Sequence, residues 1–218
     1  MHIPTVIKKC LFSTTRTLLL SDKVRNSTYC WAWEHLRNLP SRSLIIDIGS
    51  RDSLFPVFLS WQRYLVRVIE RDARYCTRQV AHTKRWHVPL IVDNCDFLAA
   101  TIPGRCDAIC SLFSLQHAGD DDIAGYRYAA QNLRSGGIFL SATEYRHEGT
   151  RFHYGRDDGT MRIYGPDDVD GRIVTPLIEE GMAEIDRWYM KKTTKGDLIE
   201  SNDSPEECAI LYLLFRKG

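Results

Sequence analysis

The chain has 218 residues, a length that suits one compact domain, because single domains usually run to about 100 to 200 residues. Hydrophobic residues make up 44% and charged residues 26%, which excludes disordered, collagen-like and coiled-coil proteins. The 29 Lys and Arg against 28 Asp and Glu leave a net charge of +1, so we expect neither nucleic acid nor an anionic membrane as a partner. The sequence still allows a local basic patch, because basic and aromatic residues are interspersed between Arg63 and Arg85.

The cysteine pattern and the absence of long apolar runs indicate a cytoplasmic protein. The 7 cysteines are scattered and form no C-x-x-C pair, so we expect reduced thiols and no metal site. Residues 1–20 faintly resemble a targeting peptide, but their apolar stretch is short and no small-residue cleavage site follows. The sequence contains no run of 18 apolar residues, so no membrane-spanning helix is predicted. The oligomeric state is left open.

Strand-like and helix-like segments alternate along the chain, a pattern typical of a mostly parallel sheet covered by helices. The predicted strands are Ser43–Ile48, Tyr64–Ile69, Val88–Val92, Cys106–Phe113, Ile138–Thr143, Met182–Met190 and Cys208–Phe215. The predicted helices are Asp52–Trp61, Asp72–Thr83, Asp120–Leu133 and Pro166–Gly181. We therefore expect one α/β domain over residues 1–218.

Two segments are not dictated by this pattern. Residues 1–40 are expected to form an N-terminal cap segment, in which Tyr29, Trp31 and Trp33 either pack in the core or cover a pocket. Residues 145–165 have no clean period, which predicts an excursion loop near the active site.

The ends of the first two strands carry the residues of a nucleoside site, because ligands of open α/β sheets bind at the carboxyl ends of the strands. Asp47, Gly49 and Ser50 stand at the first end, where glycine allows a close backbone approach. Glu70 ends the second strand and can accept hydrogen bonds from a ribose diol. Neither G-x-G-x-x-G nor a P-loop occurs, which favours a ligand with ribose and no phosphate.

An adenine site is predicted after the third strand. Asp96 and Phe97 could address an adenine amino group and its π face. Asp93 is the alternative acid.

In this order the motifs resemble those of class I S-adenosylmethionine-dependent methyltransferases. The resembling stretches are LIIDIGSRDS, VRVIERD, DNCDFLAATIPGRCDAICSLFSLQH, NLRSGGIFLSATE, YGPDDVDGRIVTPLIEEGMAEIDRW and CAILYLLFRKG. The resemblance implies a Rossmann-like seven-stranded, mostly parallel sheet with helices on both faces and a C-terminal antiparallel hairpin. It also implies S-adenosylmethionine as cofactor, bound by Asp47, Gly49, Ser50, Glu70, Arg71, Asp96 and Phe97. Arg51 and Ser135 depart from the pattern, where the family often has glycine and proline.

The activity implied is methyl transfer to a small molecule, with a sugar or secondary metabolite favoured. Candidate catalytic residues are His117, Glu144 and His153, since transfer to oxygen benefits from a general base; Tyr145 and His147 are further candidates for that base. The alternative is a catalytically silent Rossmann-like module that acts in an assembly. A nicotinamide-dependent oxidoreductase is disfavoured by the missing phosphate glycines.

Overall fold

The structure is a computed structural model that describes residues 23–102, 104–147, 149, 151–155, 159–192, 198–200 and 209–218. Within these ranges the side chains at 23, 151–155, 159–160, 191–192, 198–200 and 209 are left undescribed.

A mixed eight-stranded sheet organises the fold. In chain order its strands are β1 (Leu44–Ile48), β2 (Leu65–Glu70), β3 (Leu90–Asn94), β4 (Cys106–Leu112), β5 (Leu133–Tyr145), β8 (Met182–Lys192), β9 (Leu198–Glu200) and β10 (Ala209–Lys217). Their spatial order is β3-β2-β1-β4-β5-β10-β8-β9. Strands β1 to β5 run parallel, and β10 is antiparallel to both β5 and β8. All seven predicted strands occur, with β9 as a short addition at the edge, so the predicted fold class is confirmed.

The direction of winding reverses beside β1. From β1 the chain moves outward to β2 and β3, and then returns to the other side of β1 as β4. Asp47 consequently lies between Val68 of β2 and Cys110 of β4. Such a switch point opens a crevice at the carboxyl ends of the strands, where ligands of this architecture bind.

Helices cover both faces of the sheet. They are α1 (Lys23–Leu36), α2 (Phe55–Trp61), α3 (Ala73–Trp86), α4 (Asp122–Asn132) and α5 (residues 166–179, formed by Pro166–Asp168, Val169–Val174 and Thr175–Glu179). Residues of α1 and α2 share one buried cluster with the sheet, and residues of α4 and α5 share the other. No helix in the described ranges is both long and apolar enough to cross a membrane.

The aromatic residues of α1 belong to the core. Trp31 packs on Tyr212 of β10 with ring centroids 4.9 Å apart, and Tyr29 stacks on Phe55 at 4.9 Å. Trp33 meets Phe58 edge-on at 5.0 Å. Of the two alternatives for these residues, the structure therefore favours core packing over covering a pocket. The described part of the predicted cap, residues 23–40, contains the first helix on that face.

The predicted excursion loop contains regular structure, which is a correction. Within residues 145–165, β6 (Arg151–Gly155) and β7 (Gly159–Ile163) pair antiparallel as a two-stranded sheet. Each strand has only five residues, too few for a period to stand out in the sequence. Tyr164 joins this hairpin to Tyr145 of β5 through a parallel bridge.

The helix predicted from Pro166 to Gly181 ends at Glu179 and is irregular. Its middle part, Val169–Val174, has the wider π geometry. Pro176 has no N–H, so the carbonyl four residues earlier loses its α-helical partner, which accounts for an interruption here.

Candidate functional site

A cavity of about 370 Å³ lies at the carboxyl ends of β1 to β4. Its lining comprises Ile48, Gly49, Arg51, Ile69, Glu70, Arg71, Asp72, Tyr75, Cys95, Asp96, Phe97, Leu98, Phe113, Ser114, Leu115, His117, Ala118, Asp121 and Gly125. Six of the predicted site residues belong to this lining, namely Gly49, Glu70, Arg71, Asp96, Phe97 and His117. The cavity thus brings together residues from four strand ends that are distant in the sequence.

Gly49 allows two loops to meet at the cavity. Its φ of +65° lies in the left-handed region, and its N–H donates to Ile69 O at 2.8 Å. A Cβ at this position would stand 2.3 Å from Ser114 Oγ, in the segment after β4. Glycine therefore satisfies both the backbone conformation and the close approach.

Glu70 presents a fixed carboxylate to the cavity. The side chain is buried, with 5% exposure, and both of its oxygens accept backbone hydrogen bonds. Arg51 N–H donates to Oε2 at 3.0 Å, and Asp72 N–H donates to Oε1 at 3.0 Å. Since each carboxylate oxygen can accept more than one hydrogen bond, the group keeps capacity for a ligand while its orientation is set by the backbone.

Asp47 lies below this surface and is not part of the cavity lining. It is 3% exposed, and burial followed by repulsion from Glu70 raises its pKa to about 8. The two predicted acids are therefore neighbours, but only Glu70 reaches the cavity, and Asp47 retains its proton at neutral pH. Ser50 is likewise buried and outside the lining.

The end of β3 distinguishes the two candidate adenine acids by position. Asp96 lines the cavity, and its Oδ1 accepts from Leu98 N–H at 2.9 Å at the start of a single turn. Asp93 lies outside the lining and forms an ion pair with Arg67 of β2. The geometry therefore favours Asp96. Phe97 is buried and packs edge-on against Tyr128, with ring centroids 4.8 Å apart.

A cation held by an aromatic ring stands where the related motif has glycine. The Arg51 guanidinium lies 4.8 Å from the ring centroid of Tyr75, and its Nη2 donates to Tyr75 Oη at 2.6 Å. Both residues line the cavity. Tyr75 and Ser114 were missed in the sequence; Tyr75 follows the Asp72 N-cap by three residues, a spacing that places it in the first turn of α3.

The three candidate catalytic residues lie in different parts of the structure, and they do not all reach the cavity. His117 lines the cavity. Glu144 does not; its N–H donates to Gln116 Oε1 at 3.0 Å, which ties β5 to the segment after β4. His153 lies on β6 opposite Met161, and its side chain is outside the described part.

The other two candidate bases lie apart from the cavity. Tyr145 and His147 are hydrogen-bonded to each other, with 3.3 Å between Tyr145 Oη and His147 Nδ1. Their rings pack together with Tyr189 of β8, and none of the three belongs to the cavity lining.

A buried ionic cluster attaches the hairpin beside the cavity. Asp122, at the start of α4, is fully buried and accepts from Tyr164 Oη at 2.9 Å. Arg162 of β7 lies 3.3 Å from the same carboxylate, and Arg172 of α5 donates to it as well. Asp121, the preceding residue, lines the cavity, so the cluster fixes the hairpin close to the site.

Several solved structures share this architecture. A 1,6-didemethyltoxoflavin-N1-methyltransferase from Burkholderia thailandensis, with S-adenosylhomocysteine bound, superposes with a TM-score of 0.70 at 13% identity over 98% of this chain and 88% of that one. The N-methyltransferase NodS from Bradyrhizobium japonicum WM9, also with S-adenosylhomocysteine, gives 0.62 at 16% identity over 98% and 97%. The chain has the class I methyltransferase fold.

Not every protein with a similar fold is named for methyl transfer. The [4+2]-cyclase SpnF matches with a TM-score of 0.71 at 12% identity, over 90% of this chain and 83% of that one. No protein-family profile and no curated protein sequence matches the chain. The methyltransferase fold is therefore established by structure, and the activity has to be argued from the site.

Proposed function

We propose that the chain binds S-adenosylmethionine in this cavity and transfers its methyl group to a small-molecule acceptor. The observation that carries the proposal is the Glu70 carboxylate, buried at the cavity and oriented by two backbone N–H groups. A fixed acid at the end of the second strand is suited to the two hydroxyls of a ribose. The similar methyltransferases named with S-adenosylhomocysteine support the same ligand.

The residues present fit this cofactor. A cavity of about 370 Å³ is within the usual range for small-molecule sites. We propose that Asp96 accepts from the adenine amino group, with Phe97 beside the ring and Arg71 next to Glu70; all four residues line the cavity. Gly49 lets the ligand approach the backbone where phosphate-binding glycines are lacking. We propose Asp47 and Ser50 as supports beneath this surface rather than direct contacts.

The chain's own contribution would be binding, alignment and proton transfer. The cofactor supplies a methyl group on a sulfonium, which is an activated leaving group. Glu70 and Asp96 fix the nucleoside, so that the methyl carbon faces the acceptor in line. For a hydroxyl acceptor, His117 is the proposed general base, because it lines the cavity, whereas Glu144 does not and the side chain of His153 lies outside the described part of the chain.

We propose a sugar or secondary metabolite as acceptor and the cytoplasm as the place of reaction. The methyltransferases of similar fold support a small molecule, since they are named for a toxoflavin precursor and, in coclaurine N-methyltransferase, for a complex with N-methylheliamine. The hairpin of β6 and β7 is the proposed acceptor-side element, with His153 as a second candidate base on β6. Glu144 is less suited, because it lies outside the cavity lining.

Calorimetry with S-adenosylhomocysteine tests the proposal. We expect binding by the unmodified chain and a loss of about 10- to 150-fold in Glu70→Gln, since a hydrogen bond to a charged group contributes about 1.5 to 3 kcal/mol. Glu144→Gln is the matched control, an isosteric change at another strand end outside the lining, and should bind normally. Absence of binding by the unmodified chain, or equal affinity in both variants, would reject the site.

A catalytically silent binding module is the second candidate. Two observations favour it: Arg51 occupies the glycine position of the motif with φ of +52°, and a [4+2]-cyclase shares the fold. Tight cofactor binding without turnover across panels of hydroxyl, amine and carboxylate acceptors would support the module over the enzyme.

A further inference from the structure

A row of basic residues lies along the edge of the sheet opposite the cavity. Because β1 to β5 are parallel, the segments that precede them meet at one amino-terminal edge. The described residues at this edge are 37–43, 62–64, 84–89, 101–102 and 104–105, together with 133–137, which form the start of β5 itself. Their cations are Arg37, Arg42, Arg63, Lys84, Arg85, Arg105 and Arg134, and the sequence places no Asp or Glu among them. With about 4.8 Å between neighbouring strands, the row spans about 20 Å.

Contacts join the parts of the row beside β1, β2 and β3. Arg42 N–H donates to Arg63 O at 2.9 Å, which joins the turns before β1 and β2. Trp61 and Trp86 meet edge-on with ring centroids 5.5 Å apart, which joins the last residues of α2 and α3, just before the turns that lead to β2 and β3.

Most of the charge in this row is available. Arg42, Arg63, Lys84, Arg85 and Arg105 are exposed, and none has an ion pair within the part of the chain that the structure describes. The carboxylates that border the row are already used. Glu34 pairs with Arg37 at 2.9 Å, and Asp107 pairs with Arg134.

An aromatic surface accompanies the cations. Trp61 is 42% exposed although it packs against Trp86, and the Arg85 guanidinium lies 5.2 Å from the Trp86 ring centroid. Large exposed aromatic rings beside cations are the combination by which proteins hold unpaired bases, since each base has a face that can stack.

The overall charge of +1 conceals this distribution. The cavity at the opposite edge is lined by four acids, Glu70, Asp72, Asp96 and Asp121, against the two cations Arg51 and Arg71, whereas the segments of the amino-terminal edge hold seven cations and no acid. The chain is thus polarised along the strand direction, and its average charge says little about either edge.

We propose that the amino-terminal edge of the sheet binds single-stranded nucleic acid. The cations from β3 to β4 would follow the phosphates, and Trp61 would stack on a base. The row is spread along the sheet edge over loops, the last turn of α3 and the start of β5, which suits an extended strand better than the major groove of a duplex. The proposal is independent of the cofactor, because no residue of the row lines the cavity.

Fluorescence anisotropy with a labelled oligothymidylate of about 12 nucleotides measures this binding in the full chain. If each of the five exposed cations neutralises one phosphate, log K should fall against log salt with a slope of about −3.5, since each contact contributes about −0.7 for single strands. Arg63→Gln and Arg105→Gln should each lower the affinity about fivefold at 0.1 M salt, as the loss of one such contact predicts. Arg127→Gln, at a half-buried arginine of α4 that pairs with Glu179, is the control outside the row and should bind as the unmodified chain does.

The aromatic contribution separates nucleic acid from other polyanions. Trp61→Leu should bind oligothymidylate at least about fivefold more weakly, the lower limit for loss of one stacked base. The same variant should bind an abasic phosphodiester oligomer of equal length as the unmodified chain does. Thermal unfolding followed by circular dichroism checks that each variant is folded.

Four results would overturn the proposal. They are no binding at 0.1 M salt, equal loss in Arg127→Gln and Arg63→Gln, no effect of Trp61→Leu on oligothymidylate, and tighter binding of a duplex of the same length. Displacement of the oligonucleotide by phosphatidylserine vesicles at equal phosphate concentration would also overturn it, in favour of a membrane surface.

Discussion

Ser114 Oγ lies 2.3 Å from the point where a Cβ on Gly49 would stand. The loops after β1 and β4 therefore touch through a position that tolerates no side chain. Substitution by alanine adds this clash to the cost of a left-handed backbone, about 1 to 2 kcal/mol for residues other than glycine. We expect Gly49→Ala to lower S-adenosylhomocysteine affinity at least tenfold in calorimetry and to lower the free energy of unfolding in urea.

The double variant Gly49→Ala, Ser114→Gly provides the control for this explanation. Removing the Ser114 side chain relieves the clash and leaves the backbone cost, so affinity and stability should return in part. No recovery would mean that contact with Ser114 is not the cause.

Because the folded chain keeps Asp47 protonated, the free energy of unfolding should fall as the pH rises. Its pKa of about 8 in the folded chain compares with an ordinary value of 3.8, so between these values the unfolded chain is ionised while the folded chain retains the proton. The contribution of Asp47 to stability is fully present below about pH 4 and is lost as the pH approaches 8, by at most about 1.4 kcal/mol per pH unit. We expect Asp47→Asn to flatten this decline in urea unfolding between pH 5 and 8.

The exposed carboxyl group of Asp167, on α5, provides the control for Asp47→Asn. Asp167→Asn should leave the decline as it is in the unmodified chain. If Asp47→Asn keeps the full pH dependence, then Asp47 is not the group responsible.

The two acids at the end of β3 should respond differently to the same isosteric change. Asp96→Asn removes an acceptor from the cavity and should weaken S-adenosylhomocysteine binding about tenfold or more. Asp93→Asn breaks the ion pair with Arg67 and should leave the affinity unchanged, with a modest loss of stability. The reverse order of affinities in calorimetry would assign the adenine contact to Asp93.

Asp122 should matter more for stability than either arginine that it binds. Asp122→Asn leaves Arg162 and Arg172 beside a neutral group, and breaking a buried ion pair in this way costs about 3 to 5 kcal/mol. Arg162→Gln should cost less, because Arg172 and Tyr164 still satisfy the carboxylate. Urea unfolding measures both. Equal losses would argue against Asp122 as the centre of the cluster.

Local sequence was enough to predict the sheet and one side of the site. The run LIIDI has apolar residues on both faces, which identifies a central strand, and Glu70 follows it by one βα unit. Such features depend on neighbours in the chain. For the same reason, Gly49 and Glu70 were placed correctly at adjoining strand ends before their contacts were visible.

Contacts between segments that are far apart along the chain could not be predicted from the sequence. The sequence does not distinguish Asp93 from Asp96, because both are acids near the end of the same strand. Only the pairing of β2 with β3 gives Asp93 its partner Arg67. The burial of Asp47 beside β4 and the effect of Glu70 on its pKa likewise depend on segments that are distant in the sequence. Ser114 was missed because its importance is the mutual approach of two loops, which leaves no periodic pattern.

The chain leaves the main sheet and returns to it at almost the same point. Tyr164 N–H donates to Glu144 O at 3.1 Å, and Arg146 N–H donates to Tyr164 O at 2.9 Å, so both ends of the hairpin segment are fastened together. A segment closed in this manner can change length or composition at a small entropic penalty, since its ends are already joined. Exchange of residues 147–161 would therefore change the hairpin, the proposed acceptor-side element, while the cavity and the sheet that builds it stay as they are.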